Sequence, residues 1–318
     1  MAITLSQLRT FLAVINAGSV RVAAESLFVT QPAVSAAIAS LERELGVTLV
    51  TRNGRGIRLT TAGTAFADDV RMSLGVLDQG CRRARSIEDP AQGTVRLVAV
   101  ATAAERVLLP VVARFREQHP EAGVTIQVGN RTTVWEALRH HEADLVVAGR
   151  PPVAVPADIL ARGKNRLVVI GPASATRRTR GVNGVHDLAR ETWLLREPGS
   201  GTRSAADALL AELGIDPPTM ILGSNAAIER GVEMGLGVGL ISLDAATERI
   251  SQGSLTVWPC SGTPIEAPWH LVSYSGEPLG PTALALVRSM VGPGGNLTAT
   301  VEGRRIIRGE KAQPRRNR

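Results

Sequence analysis

The strongest constraint on the fold lies in the first sixty residues, where short apolar patterns alternate with residues that begin or end helices. The first pattern begins at a capping box of Thr4 and Gln7, whose side chains can each satisfy a backbone N–H group, and it ends at Gly18. Its apolar residues recur at the spacing of one helical face, namely at Leu8, Phe11, Leu12 and Ile15. Ser19 then precedes an alanine-rich stretch over residues 20–27 as a natural N-cap. We therefore predict two short helices joined by a turn.

A third helix is predicted from Thr30, which can cap it, to Gly46, which ends it. Its apolar face carries Val34, Ala37, Ile38, Leu41 and Leu45. Its remaining surface carries Gln31, Ser35, Ala36, Ala39, Ser40 and Arg43. Because glutamine and serine can hydrogen-bond to base edges and an alanine methyl can touch a thymine methyl, this surface suits a helix-turn-helix whose second helix lies in a major groove. A structural three-helix bundle is the alternative.

The segment after the third helix is predicted to form a basic β-hairpin. Asn53-Gly54 lies between two strand-like runs, and this pair is a strong signal for a tight turn with positive φ at both central residues. No acidic residue occurs over residues 45–67, whereas three arginines accompany the turn: Arg52, Arg55 and Arg58. A cationic hairpin beside a helix-turn-helix can act as a wing that reaches the phosphates next to the groove. The hairpin therefore favours DNA binding over the structural bundle.

A long helix is predicted to follow, capped by Thr60 or Thr61 and running to about Ile87. Its apolar residues step by four and three over two heptads: Val70, Leu74, Leu77, Cys81 and Ala84. So narrow a seam is typical of helix pairing between two chains, and packing against its own domain is the alternative. We interpret Cys81 as a small buried apolar residue on this seam. The other cysteine, Cys260, is too distant in sequence to suggest a zinc site or a redox pair.

Beyond a linker at residues 89–93, the pattern changes to an alternation of apolar runs and helices. The runs predicted as strands cover residues 95–101, 124–128, 144–148, 167–170, 193–195, 220–222, 238–241 and 271–272. Because continuous apolar runs separated by helices are typical of sheets buried on both faces, we predict mostly parallel sheets in two successive α/β units. A ligand-binding cleft is expected between these units.

Composition and charge narrow the function further. The chain has a formal net charge of +7, but +5 of it lies in residues 293–318, which are rich in glycine, proline and arginine and are predicted to be disordered. No stretch approaches ~20 uninterrupted apolar residues, so we expect no membrane span. The N-terminus lacks the basic region of a signal peptide, so a cytoplasmic location is predicted.

Polar residues that follow the predicted strands indicate an anion site in the cleft. Residues 196–203 follow a strand and open a helix, and a helix N-terminus offers free N–H groups to an anion. Capping by serine or threonine is the alternative for that segment. Because loops at the ends of adjacent parallel strands converge, we predict an anionic effector site at Thr102, Arg131, Arg150, Ser200, Thr202 and Arg203. No general base, nucleophile or metal-binding motif stands among them, so we predict neither an enzyme nor a cofactor.

The N-terminal string LSQLRTFLAVINAGSV, followed by AAESLFVTQPAVSAAIASLERELGVTLVTRNGRGIRLTTAG, resembles the LysR-type transcriptional regulators, as do LLREPGSGTR and GVEMGLGVGLIS further on. The resemblance extends to about Val291. It implies a winged helix-turn-helix, a long linker helix and a two-lobed α/β effector domain like periplasmic binding proteins. It also implies a homodimer or dimer of dimers on double-stranded promoter DNA, a small inducer, and RNA polymerase as a candidate partner.

By position, the resemblance makes Gln31, Pro32 and Ser35 the residues that face the groove. Positions 36 and 39 are often basic or larger polar residues in the family but are alanine here, which transfers phosphate affinity to the wing. The predicted DNA contacts are Ser19, Arg21, Thr30, Gln31, Pro32, Ser35, Ala36, Arg43, Arg52, Arg55 and Arg58. The predicted domains are the DNA-binding domain over 1–60, the linker helix over 61–89, the effector domain over 90–292 and the tail over 293–318. Lobe I is placed at 90–165 and 269–292, and lobe II at 166–268.

Within the family, VGNRTTVWEALRHHEADLVVAGRPP and LLREPGSGTR resemble regulators of carbon-dioxide-fixation operons, whose effectors are phosphorylated sugars or nicotinamide nucleotides. The peroxide-sensing branch is disfavoured because its paired effector-domain cysteines are absent from the sequence. The alternative function is a small-molecule-binding protein or enzyme in which the N-terminal helices serve only for oligomerisation.

Overall fold

The computed structural model describes residues 3–54, 56–89, 92–173 and 185–309, and the chain divides into two compact units, one up to Cys81 and one from Arg82. The first unit contains the three predicted helices. They are α1 (Leu5–Ala17), α2 (Val20–Leu27) and α3 (Gln31–Leu45). The capping box of Thr4 and Gln7 is present, and the Thr30 hydroxyl accepts a hydrogen bond from the backbone of α3. Local capping chemistry therefore sets these boundaries as predicted.

The three helices enclose a small apolar core. Its fully buried side chains include Phe11, Val14, Leu41 and Leu49. Ser19 occupies the N-cap position of α2, but its side chain makes no capping hydrogen bond with any described residue. Ser19 instead contributes its backbone carbonyl, which accepts a hydrogen bond from Ala23 N at 3.0 Å, and Ala23 and Ala24 are buried.

The hairpin forms as strands β1 (Val50–Asn53) and β2 (Gly56–Leu59), with its turn one residue later than predicted. Asn53 pairs with Gly56, so Asn53 belongs to the first strand and the turn begins at Gly54. The apolar residues of the hairpin pack against the core, and because a one-residue slip would turn them outward, they set the register. Arg55 lies outside the described residues.

The long helix α4 (Thr61–Glu88) is present and is capped by Thr60, whose hydroxyl accepts a hydrogen bond from Gly63 N at 2.9 Å. The first part of its apolar seam, at Val70 and Leu74, packs into the core of the first unit. The later part is uncovered in the single chain, where Leu77, Cys81 and Ala84 are exposed. Burial of Cys81 is thus not observed within one chain.

The second unit contains two sheet systems. The six-stranded sheet has the order β14-β6-β13-β5-β3-β4, with bounds Thr94–Ala99 (β3), Gly123–Val128 (β4), Leu145–Ala148 (β5), Ala157–Gly163 (β6), Trp269–Tyr274 (β13) and Thr298–Ala299 (β14). The second system is built from Arg166–Pro172 (β7), Trp193–Leu195 (β8), Thr219–Ile221 (β9), Gly239–Ser242 (β10), Leu255–Val257 (β11) and Ile265–Glu266 (β12). The chain therefore passes from one system to the other after β6 and returns before β13.

Strand directions differ from the prediction of mostly parallel sheets. In the six-stranded sheet, β3 is parallel to β4 and β5, whereas β13, β6 and β14 run antiparallel to their neighbours. In the second system, β7 pairs antiparallel with β10, β11 and β12, and β8 pairs parallel with β9. The prediction was wrong because an apolar run reports burial on both faces and carries no information about direction.

Four strands were not predicted: β6, β11, β12 and β14. The first of them reads ADILARG, and its polar Asp158 and Arg162 interrupt the apolar run that identified the other strands. The other three have only two or three residues each, which is below the length at which alternation can be recognised.

Helices cover the strands of the second unit. They are Ala101–Ala103, Leu109–Gln118, Arg131–Arg139, Val185–Leu188, Gly201–Leu213, Asn225–Glu233, Leu243–Ser251, Pro281–Val291 and Val301–Ile307, with a π-helical turn at Ala104–Leu108. Apolar clusters lie beneath them against both sheet systems. Within the described part of the chain, no single helix is long and apolar enough to cross a membrane; α2 and α3 reach that threshold only as a pair bent by 107°.

The tail predicted as disordered is structured up to Gly309. Leu297 is buried in the core of the six-stranded sheet, and β14 pairs with the edge of β6. Thr300 then caps the last helix, accepting from Gly303 N at 2.9 Å, and a Cβ on Gly303 would collide with the backbone of Leu160. The disorder prediction was wrong here because the amino-acid composition of the segment does not reveal that one leucine is buried or that one short strand pairs with a sheet edge. Residues 310–318 lie outside the described residues.

Candidate functional site

A cavity of about 860 Å³ lies in the second unit, between the two sheet systems. Five of the six predicted effector residues line it: Thr102, Arg131, Arg150, Ser200 and Thr202. They come from segments that follow β3, β4, β5 and β8, so the convergence of strand ends expected from the sequence does occur. The parallel arrangement of β3, β4 and β5 accounts for the first three residues.

Arg203, the sixth predicted residue, is not among the described residues that line the cavity. Its Nε lies 2.8 and 2.9 Å from the two carboxylate oxygens of Asp207, and its Nη1 donates to the carbonyl of Arg196 at 3.3 Å. On a helix, side chains at i and i+4 share one face, and this face turns away from the cavity. The prediction of Arg203 as an effector residue is therefore not supported by its position.

The helix N-terminus at the cavity is free for an anion. Ser200 is buried at the N-cap position of the helix Gly201–Leu213, yet its hydroxyl makes no capping bond to any described residue. Capping by this serine, the alternative that the sequence left open, is not observed. Its hydroxyl, the first N–H groups of the helix and Thr202 thus face a cavity where negative charge is favoured.

Arg196 and Asn225 also line the cavity, and the sequence reasoning missed both. Arg196 forms a two-pronged ion pair with Glu197, with N–O distances of 2.8 and 2.9 Å, and donates to Oδ1 of Asn225 at 2.7 Å. Asn225 in turn donates to Oγ1 of Thr102 at 2.8 Å. Burial is the largest single influence on the pKa of Glu197 and raises it, but the hydrogen bond from Arg196, a backbone hydrogen bond and the charge of Arg196 together outweigh burial, so the pKa is lowered. Arg196 was visible in the string LLREPGSGTR, whereas nothing local marked Asn225.

Arg162 and His270 are two further lining residues that were not predicted. They are directly paired across β6 and β13. His270 is 4% exposed, and burial lowers the pKa of its imidazole. The charges of Arg162 and Arg150 lower this pKa further, whereas a hydrogen bond from the imidazole to the backbone carbonyl of Pro268 opposes the shift. The imidazole is therefore neutral at pH 7 and contributes polarity rather than charge.

Positive charge dominates the cavity wall. Four arginines line it, at positions 131, 150, 162 and 196, and Glu266 is the one carboxylate among its described lining residues. The charge of Arg196 is balanced by Glu197. Three arginines against one carboxylate leave an excess of positive charge, which favours an anionic occupant.

In the first unit, the surface of α3 predicted to face DNA is open. Exposed residues include Thr30, Gln31, Pro32, Ser35, Ala36 and Arg43, together with Arg21, Arg52 and Arg58; Ser19 is half-buried. Arg21 pairs with Glu25 at 2.6 Å, and Arg43 donates to the carbonyl of Ala39 at 3.3 Å. The outer surface of this helix is thus available to a ligand rather than covered by its own unit.

Comparison with known proteins decides the family. The family model for the LysR substrate binding domain matches residues 88–292, and that for the bacterial regulatory helix-turn-helix protein of the lysR family matches residues 5–64. The chain belongs to the LysR family. It is therefore a sequence-specific, effector-controlled transcriptional regulator, and the prediction of a winged helix-turn-helix joined to a two-lobed α/β domain is confirmed.

Similar proteins align with this chain over most of their length. This chain is 33% identical over 287 residues to the HTH-type transcriptional regulator CbbR of Rhodospirillum rubrum. The alignment covers 89% of this chain and 94% of the relative. The chain is 32% identical over 278 residues to the HTH-type transcriptional activator CmpR of Synechocystis sp., covering 87% and 91%. These relatives are named as regulators, in agreement with the prediction that the chain is not an enzyme.

Solved structures agree in fold. The crystal structure of CbnR, a LysR family transcriptional regulator, superposes with a TM-score of 0.65 at 21% identity and covers 90% of this regulator and 97% of CbnR. The CcmR regulatory domain of Synechocystis PCC6803 in complex with 2-PG superposes with a TM-score of 0.55 at 24% identity, covering 60% of this regulator and 97% of that chain.

Proposed function

We propose that this regulator controls genes of carbon-dioxide fixation and that its effector is a small phosphorylated anion bound in the cavity of the second unit. The observation that carries the proposal is the cationic wall of that cavity, which combines arginines from separate strand ends with an uncapped helix N-terminus. Relatives named as CbbR and RuBisCO operon regulators support the choice of genes.

The chemistry of the wall favours phosphate over a singly charged group. A phosphate presents several acceptor oxygens and close to two negative charges near neutral pH. Arg131 and Arg150 supply N–H donors, and the backbone N–H groups after Ser200 point at the same space. Thr102, Asn225 and the neutral His270 remain for the uncharged part of the effector. The CcmR domain with 2-PG provides an example of a phosphorylated ligand in a similar fold.

The test is a titration of the full chain with sugar phosphates, 2-PG and unphosphorylated aromatic acids. Binding is measured by thermal shift and by calorimetry. We expect phosphorylated ligands to stabilise the protein. Arg131→Gln and Arg150→Gln should each raise the dissociation constant by roughly 10-fold, because each removes a charge-assisted hydrogen bond. Arg203→Gln is the matched control, since Arg203 lies on the same unit but outside the cavity. Stabilisation by the aromatic acids alone would refute the proposed effector class.

We infer that the exposed surface of α3 enters the major groove of double-stranded promoter DNA. Gln31 and Ser35 would contact base edges, with Pro32 and Ala36 beside them, while Arg52 and Arg58 of the hairpin would contact phosphates. The exposed seam at Leu77 and Cys81 supports assembly as a homodimer or dimer of dimers. The working location is then the cytoplasm, with RNA polymerase as a further partner.

Gel-shift experiments with the intergenic DNA upstream of the regulator's own gene test this surface. We expect Gln31→Ala with Ser35→Ala to abolish discrimination between this fragment and an unrelated one. Arg58→Gln should instead weaken binding to both and reduce the slope of log K against log salt by about 0.9 for one lost phosphate contact. Retention of sequence preference by the double variant would show that α3 does not read the bases.

A further inference from the structure

The turn between α2 and α3 contains a residue whose conformation and exposure are both unfavourable. Phe28 ends α2 with φ +56° and ψ +41°, in the left-handed region, and it is 95% exposed. A side chain with a Cβ is disfavoured in that region, and a bulky one most of all. An aromatic ring left exposed to water also forgoes the stabilisation that its burial would provide. At this position the folded chain therefore bears a backbone cost and gains no burial in return.

The other helices of the first unit show how such an end is normally made. α1 ends at Gly18 with φ +62°, and α3 ends at Gly46 with φ +70°. At the end of α2 the same closing bonds are present, from Phe28 N to Glu25 O at 3.3 Å and from Val29 N to Ala24 O at 3.0 Å. The backbone therefore requires a left-handed residue here, and glycine or asparagine would serve it better.

His141 is the other non-glycine residue with positive φ in the described ranges, and it shows what offsets such strain. It is 3% exposed, its ring packs at a tilt of 38° against Tyr274 with a centroid distance of 4.1 Å, and its Nδ1 lies 3.3 Å from the carboxylate of Glu277. Phe28 has almost no surface covered by its own chain. What offsets its strain must therefore come from outside the chain.

We propose that Phe28 is a direct DNA contact, its ring packing against a thymine methyl or a deoxyribose at the edge of the groove occupied by α3. Phe28 is three residues before Gln31, so the two lie within about 10 Å even in an extended chain. Val29, beside it, is 48% exposed and continues the apolar surface. Apolar side chains contact thymine methyls in the major groove. This inference rests on the proposed DNA-facing surface of α3.

The charges around the turn fit this occupant. The carboxylate of Glu25, one turn before Phe28, is held by Arg21 at 2.6 Å, which limits its repulsion of a phosphate backbone. Thr30 and Gln31 follow with exposed polar groups. An apolar ring bordered by donors and a neutralised carboxylate is suited to the junction of base edge and sugar rather than to a purely apolar partner.

The experiment separates contact from folding because the replacement suits the backbone better than the native residue. Phe28→Asn should fold with an unchanged or higher melting temperature, since asparagine tolerates the left-handed region. Its dissociation constant for the upstream intergenic fragment, measured by fluorescence anisotropy, should rise on the order of 10-fold through loss of the apolar contact. Phe28→Tyr keeps the ring and should bind within about threefold of the native chain. Val153→Asn removes another fully exposed apolar residue, in the second unit, and should change nothing.

The remaining possible results each refute the proposed contact of Phe28 with DNA. An unchanged dissociation constant for Phe28→Asn refutes the contact. A change in mass by light scattering for Phe28→Asn without DNA assigns the ring to contact between subunits and also refutes it. Gln31→Ala is measured alongside: if Gln31→Ala weakens binding and Phe28→Asn does not, only the contact fails. If neither does, the proposed surface of α3 fails with it.

Discussion

Asn225 donates a hydrogen bond to Thr102 at 2.8 Å, and this bond joins the two sheet systems across the effector cavity. Thr102 follows β3 of the six-stranded sheet, and Asn225 begins the helix after β9. Arg196 donates a hydrogen bond to the side-chain carbonyl oxygen of the same asparagine. A chain of hydrogen bonds therefore runs from Glu197 through Arg196 and Asn225 to Thr102. The cavity therefore contains its own bridge between the lobes, built from residues that an effector would also meet.

Breaking this bridge should destabilise the effector domain. Asn225→Leu leaves the buried Thr102 hydroxyl without its partner, and we expect a loss of about 1–3 kcal/mol in the free energy of unfolding. Urea denaturation of the full chain measures it. Asn225→Asp is the matched control, since its carboxylate can accept from both Arg196 and the threonine hydroxyl. An unchanged free energy of unfolding in Asn225→Leu would show that the bond contributes nothing.

The buried ion pair of Arg82 and Asp144 should contribute strongly to stability. The two side chains are 9% and 11% exposed, with an N–O distance of 3.0 Å, and the carboxylate also accepts from Arg96 N at 2.8 Å. Arg82→Met leaves a buried carboxylate without its cation, which should cost about 3–5 kcal/mol of unfolding free energy.

Two further variants test the interpretation of this pair. Arg82→Met with Asp144→Asn should recover part of the loss, because the uncompensated charge is gone. Arg203→Met, which removes the more exposed pair with Asp207, should cost under about 1 kcal/mol. If Arg82→Met is no more costly than Arg203→Met, the buried pair is not the anchor that its geometry indicates.

Acid should destabilise the effector domain through His270. Its folded-state pKa is lowered by burial, whereas the unfolded imidazole titrates near its ordinary value of about 6.5. Above that pH both states are neutral and stability is unaffected. As the pH falls below it, the unfolded state takes up the proton first, so the free energy of unfolding decreases until the folded imidazole also titrates.

His270→Asn should therefore reduce the difference in unfolding free energy between pH 7.5 and pH 5.5, measured by urea denaturation at both values. His186→Asn replaces an exposed histidine of the same unit and serves as the control. A pH difference that is identical in the native chain and in His270→Asn would contradict the assignment.

The C-terminal segment should be part of the folded domain. Leu297→Ala removes a buried side chain from the core and should cost about 2–5 kcal/mol. Gly303→Val should also destabilise, since its Cβ would meet the backbone of Leu160. Val301→Ala, at a position 70% exposed, is the control. Thermal unfolding that is unaffected by both Leu297→Ala and Gly303→Val would restore the prediction of a disordered tail.

The sequence by itself determined the helices of the DNA-binding unit and five of the residues that line the cavity. Capping at Thr4 and Thr30 and the apolar spacing within α1 and α3 depend on groups within four residues of one another, so they can be read along the chain. Thr102, Arg131 and Arg150 were found because they follow apolar runs, and the ends of parallel strands share one edge of a sheet.

Only the tertiary structure decided which side chains meet. The contact of Asn225 with Thr102 joins residues 123 positions apart, and the direction of β13 and the pairing of β14 depend on equally distant segments. Arg203 is carried away from the cavity by the rotation of its helix, where Asp207 holds it. Such contacts are fixed by packing between distant segments, and no pattern of neighbours along the chain encodes them.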